Sequence, residues 1–152
     1  MVGAASHSPD HGLYAWAADE QGSEYYTIRV KDLASGETLP FQIDSAYGAF
    51  TFSPDSQWIF WIWRDENARP SKVFRRAARG GEDVLVYEEI DETFDSVVYR
   101  TKSEEFLVIH SSQTIADESR ILEADRDDGG EALPDVLAQG RFILRGGAFP
   151  AN

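Results

Sequence analysis

The chain has 152 residues, no cysteine, and 27 acids against 14 Lys and Arg, for a formal net charge of −13. Its hydrophobic share of 42%, with four Trp, six Tyr and nine Phe, is enough for a sizeable core and excludes general disorder. The charge argues against nucleic acid or an anionic membrane as a partner, and the missing thiols exclude a disulfide framework or a thiolate metal site.

In chain order, Met1–Ser6 lacks the charged start and apolar core of a secretory signal. Segment 1–7 stands apart from the residues after it. Ser8-Pro9-Asp10 is a turn signal, because Pro fixes φ and the Asp side chain caps the turn. It leads into the apolar run Leu13-Tyr14-Ala15-Trp16-Ala17. Ser53-Pro54-Asp55 leads in the same way into Trp58–Trp63, and Leu13 to Trp58 is an offset of 45 residues. A third run, Phe106–His110, follows the polar turn Thr101–Glu105 at an offset of 48 from Trp58.

Each run is followed by further strand-like segments. Tyr25–Val30, Lys72–Arg76 and Arg120–Ala124 come second, and Leu39–Ile43, Val84–Tyr87 and Val136–Leu137 third. Gly36, Gly80-Gly81 and Gly129-Gly130 supply turns before the third segments. Ala49–Phe52 and Ser96–Tyr99 lead into the later units. No segment has a helical period.

The expected fold is therefore all-β: about three four-stranded antiparallel blades of a β-propeller, over 8–48, 49–93 and 94–138. A tail at 139–152 contains Arg141–Arg145, which reads as the start of a further blade. An ordinary β-sandwich is the rival architecture. An open set of blades leaves two faces uncovered, and such faces should associate with another copy or with missing parts of a longer protein.

The residues from Asp19 to Glu37, Glu82–Glu89 and Thr101-Lys102-Ser103 together resemble the propeller domain of the prolyl oligopeptidase family, and its oligopeptidase B (protease II) branch in particular. The resemblance runs from Ser8 to about Leu137. It implies a two-part serine peptidase in which a propeller caps an α/β-hydrolase domain, limits access to short peptides and, in this branch, serves cleavage after Lys or Arg. The G-x-S-x-G elbow of such a hydrolase occurs nowhere in the chain. No catalytic residue of the family has a matching position, so the expectation is a non-catalytic segment with no cofactor, working in the cytoplasm. Its partners would be the peptidase's catalytic domain or a second copy, with short cationic peptides as ligands. The rival function is a stand-alone binding module that oligomerises through its blade faces.

Isolated chemical signals are weak. His110 precedes Ser111, yet neighbours on a strand point to opposite faces, so the pair cannot act as base and nucleophile. His7 and His11 have no third metal ligand. Asp125–Gly130 resembles the start of a calcium loop, but Gly129 and Val136 stand where oxygen ligands are needed.

Charge is uneven along the chain. Six basic residues fall between Arg64 and Arg79, seven acids with no base lie between Glu82 and Asp95, and eight acids lie between Asp117 and Asp135. This reads either as an acidic rim for cationic peptides or as cross-strand pairing between a basic and an acidic strand. The aromatic run Trp58–Trp63 reads as core between two blades rather than as a binding platform.

Overall fold

The structure is a computed structural model that describes residues 1–89, 95–100, 106–112, 117–123 and 143–146. It contains strands only among the described residues: β1 (Val2–His7), β2 (Leu13–Ala18), β3 (Tyr26–Asp32), β4 (Thr38–Phe52), β5 (Trp58–Arg64), β6 (Pro70–Ala77), β7 (Val84–Glu88), β8 (Asp95–Arg100), β9 (Phe106–Ser112), β10 (Asp117–Glu123) and β11 (Ile143–Gly146). Strands β1 to β7 pair antiparallel in sequence order, and β8 to β11 form a second antiparallel meander.

Strand β4 explains why two sheets make three blades. Its first half pairs with β3 (Ile28↔Ile43) and its second half with β5 (Phe50↔Trp61), while Ala46 faces both Tyr26 and Trp63. Ser45 takes a left-handed φ of 58° at this crossing, a conformation that costs a non-glycine residue and bends the strand. The first blade is thus β1, β2, β3 and the start of β4. The second is the end of β4 with β5, β6 and β7, and the third is β8 to β11.

Both ends of the chain differ from the sequence-based boundaries. Segment 1–7, set apart in sequence, contains β1, which pairs with β2 through His7↔Tyr14 and Ala5↔Trp16. Its small residues, Gly3, Ala4 and Ala5, hide its strand character from composition. Ile143–Gly146, placed in the tail as the start of a further blade, pairs with β10 as the fourth strand of the third blade. Val136–Leu137 lies outside the described residues.

Strand alternation sorts the core into two layers. Leu13, Ala15, Ala17, Ile28, Val30, Ile59 and Trp61 are buried between the first two blades. Phe60, Ile62, Val73 and Val86 are buried with Val98 and Ile109 of the third. Consecutive residues of a strand point to opposite faces, so β5 feeds both layers: Ile59 and Trp61 one way, Phe60 and Ile62 the other. This is the reason Trp58–Trp63 is apolar at every position.

The two Ser-Pro-Asp turns have the same hydrogen bonds. Ser8 Oγ donates to Asp10 Oδ1 (2.6 Å) and accepts from Leu13 N (2.9 Å), and Asp10 Oδ1 accepts from Gly12 N (2.8 Å). Ser53 Oγ donates to Asp55 Oδ1 (2.6 Å) and accepts from Trp58 N (3.0 Å), and Asp55 Oδ1 accepts from Gln57 N (3.0 Å). His11 and Ser56, at equivalent places, take φ values of 61° and 64°. The turns also touch: Asp10 N donates to Ser56 Oγ at 3.0 Å. The Thr101–Glu105 turn lies outside the described residues.

Candidate functional site

A cleft of about 760 Å³ opens where β1, the β2–β3 turn, the middle of β4 and the end of β5 meet. Its lining includes Asp19, Glu20, Glu24, Tyr26, Tyr47 and Arg64. On its inner side the backbones of β1 and β4 approach closely, since a Cβ added to Gly3 would lie 2.6 Å from the Gly48 carbonyl oxygen. Only glycine allows that contact.

Asp19 builds the acidic wall. Its carboxylate accepts from the backbone N–H groups of Gln21 (3.1 Å), Ser23 (3.1 Å) and Glu24 (2.7 Å), and from Ser23 Oγ (3.3 Å). Burial pushes this carboxyl up, but the donors of Glu24, Ser23 and Gln21 outweigh it and hold it below the usual carboxylate range. The turn so fixed, with Glu24 at a φ of 67°, carries Glu20 and Glu24. Glu20 pairs with Arg29 at 3.2 Å.

Asp65 builds the matching turn of the second blade, accepting from Asn67 N (2.9 Å) and Arg69 N (3.0 Å). Ala68 there has a φ of 62°. Tyr25 joins the two turns, its hydroxyl donating to the Asp65 carbonyl (2.6 Å) and accepting from Ala68 N (3.1 Å). Arg64 is the cationic side chain in the cleft's described lining. It donates through Nε to the Ala68 carbonyl and through Nη1 to the Glu24 carbonyl, and its guanidinium lies 5.0 Å from the Tyr47 ring centroid.

Residues 1–143 match the family model described as the prolyl oligopeptidase N-terminal beta-propeller domain. The chain belongs to the prolyl oligopeptidase family. Among relatives, dipeptidyl aminopeptidase BI of Pseudoxanthomonas mexicana is 34% identical over 78% of this chain, and protease 2 of Moraxella lacunata is 31% identical over 76%. The chain spans 17% of the length of each. Among solved structures, oligopeptidase B of Leishmania major superposes with a TM-score of 0.78 at 26% identity, covering 97% of this chain and 20% of that one. Oligopeptidase B of Trypanosoma brucei, with covalently bound antipain, gives 0.78 at 25%, with the same coverage of both chains.

Within this propeller segment the sequence candidates occupy separate places. His110 and Ser111 are adjacent in β9, facing Val97 and Ser96 of β8. The His7 and His11 rings lie 5.8 Å apart, and no group of three metal-binding side chains occurs among the described residues. Asp125–Gly130 lies outside them. The basic and acidic runs meet across β6 and β7: Arg76 grips Asp83 through two bonds (2.9 and 2.7 Å), and Lys72 reaches Glu88 at 4.0 Å. Asp83 also accepts from Trp61 Nε1 at 2.9 Å.

Sequence reasoning passed over the paired Asp19 and Asp65 turns. Their offset of 46 residues was a usable signal, since it nearly repeats the 45 of the Ser-Pro-Asp turns. In sequence, Arg64 is only the first member of a basic run. Nothing local marks it as the residue that reaches a carbonyl of another blade.

Proposed function

We propose that this segment is the non-catalytic cap of an oligopeptidase B-like serine peptidase, working in the cytoplasm and admitting short peptides that carry Lys or Arg. Its catalytic partner is the hydrolase domain that the family combines with a propeller. The carrying observation is the cleft, whose described lining holds three acidic side chains, Asp19, Glu20 and Glu24, and one cationic side chain, Arg64. Excess negative potential in a concave site attracts cationic ligands and falls with salt. The Arg76–Asp83 and Lys72–Glu88 pairs consume much of the charge on β6 and β7, so the cleft rather than that hairpin supplies the attraction.

The test is titration of the chain with a short lysine peptide and its norleucine counterpart. The lysine peptide should bind tighter, with the gap closing in high salt and in Glu20→Gln/Glu24→Gln. Equal binding of the two would sink the cationic reading. The chain should not cleave a fluorogenic arginine peptide, and turnover that survives repurification would refute the non-catalytic reading.

A second reading, association through a blade face, draws support from β2. Tyr14 and Trp16 stack at 6.1 Å on the face turned away from the second blade, and both are only half-buried. Sedimentation of the chain checks it: a discrete oligomer dispersed by Trp16→Glu supports this reading, and a monomer excludes it.

A further inference from the structure

We propose that Arg64 is a carboxylate anchor, holding the C-terminal carboxylate of a peptide bound in the cleft. This rests on the reading of the cleft as a peptide site and adds which end of the peptide is recognised.

Arg64 is fixed before any ligand arrives. Two backbone carbonyls, of Ala68 and Glu24, and the Tyr47 ring hold its guanidinium. None of these partners carries a negative charge. Arg29, Lys72, Arg76 and Arg79 each have a carboxylate within ion-pair distance, whereas no described carboxylate lies within that distance of Arg64.

A guanidinium has five N–H donors, and the two carbonyls engage only two of them. What remains is a preorganised, partly desolvated cation on the wall of a cleft. Little side-chain entropy is left to lose when a ligand binds.

The surroundings select the anion. Asp19, Glu20 and Glu24 line the same cleft, so a multiply charged phosphate is repelled, while a single carboxylate can bind if the rest of its molecule is cationic. A short basic peptide has that charge pattern. Its terminal carboxylate can accept two parallel bonds from a guanidinium, whereas a mid-chain peptide group offers no charge. Arg64 would then separate small peptides, whose ends are free to enter, from internal stretches of folded proteins.

The experiment is calorimetric titration of the 152-residue chain with four short peptides: one lysine peptide and its norleucine analogue, each as free acid and as C-terminal amide. The free acid should bind about threefold to fivefold tighter than the amide, the range of a partly exposed ion pair. Arg64→Gln should bring that ratio to one, and Arg64→Lys, which keeps the charge but loses the planar fork, should leave it in between. Melting temperatures of the variants are read in parallel.

If Arg64 only braces the two turns, Arg64→Gln lowers the melting temperature and leaves the acid-to-amide ratio unchanged. That result overturns the proposal, as does equal binding of acid and amide by the unaltered chain. The lysine-to-norleucine ratio reads the acidic wall separately, so the cationic reading can stand while the anchor falls. Failure of all four peptides to bind removes both.

Discussion

Strands β2 and β5 occupy the same place in successive blades, and both are apolar, yet they are buried differently. In β2, Leu13, Ala15 and Ala17 are buried against the second blade, while Tyr14, Trp16 and Ala18 are half-buried on the opposite face. In β5, Ile59 and Trp61 are buried on one side and Phe60 and Ile62 on the other. The difference comes from neighbours. A blade between two blades has no wet face, so the alternation of apolar and polar residues that usually marks a strand disappears. In β2, also apolar along its length, it is burial that alternates, because one face meets the second blade and no described blade covers the other.

Substitution of the tryptophans should show this contrast most strongly. Trp61, 3% exposed, stacks on Phe74 at 5.2 Å and donates to Asp83. Trp61→Ala should cost about 3–5 kcal/mol, read by urea unfolding. Trp16→Ala, on the half-buried face of β2, should cost less than about 2 kcal/mol. Equal losses would mean that the outer face of β2 is packed as tightly as the seam.

The two Ser-Pro-Asp turns sharpen the comparison on a smaller scale, because here the blades are alike. Ser8 and Ser53 are both fully buried, and each hydroxyl receives the N–H that starts the following strand. Ser8→Ala and Ser53→Ala should each cost about 1–3 kcal/mol, the penalty for a buried donor left without its acceptor. Chemical denaturation of the two variants checks this, and a loss at one turn only would break the equivalence.

Acid should produce the gentlest effect. The carboxyl of Asp10 is held below its usual range by Ser8 and Gly12, that of Asp32 by Arg79 and Ser35, and that of Asp19 by its turn donors, which outweigh burial. Groups with lowered folded-state pKa values bind fewer protons folded than unfolded. Their stabilisation is therefore complete above the ordinary Asp range and is lost as pH falls below about 4. Asp19→Asn should be less stable than the parent at neutral pH, with the gap narrowing as acid is added. Circular-dichroism melts across this range measure it, and a gap that widens in acid would reverse the sign of the argument.

Much of the blade plan was legible because it is written locally. Ser8-Pro9-Asp10 and Ser53-Pro54-Asp55 make their own turns from their own side chains, so a 45-residue offset in sequence became the same hydrogen bonds in space. The cross-strand pairing of Arg76 with Asp83 was one of two readings of the charge pattern, and the hairpin register selected it. The site was far less visible. Asp19 and Asp65 cap turns of ordinary composition, and the value of Arg64 depends on carbonyls 40 and 4 residues away in sequence.

The sequence by itself determined the all-β class, the repeat, the turns and the double-faced core of β5, since each follows from residue type and short-range spacing. Only the tertiary structure decided that β1 belongs to the first blade, that β4 serves two blades through a bend at Ser45, and that Ile143–Gly146 pairs with β10. It also decided which acids and which arginine share a cleft. These are outcomes of how blades pack around one another, and packing joins residues that no local pattern relates.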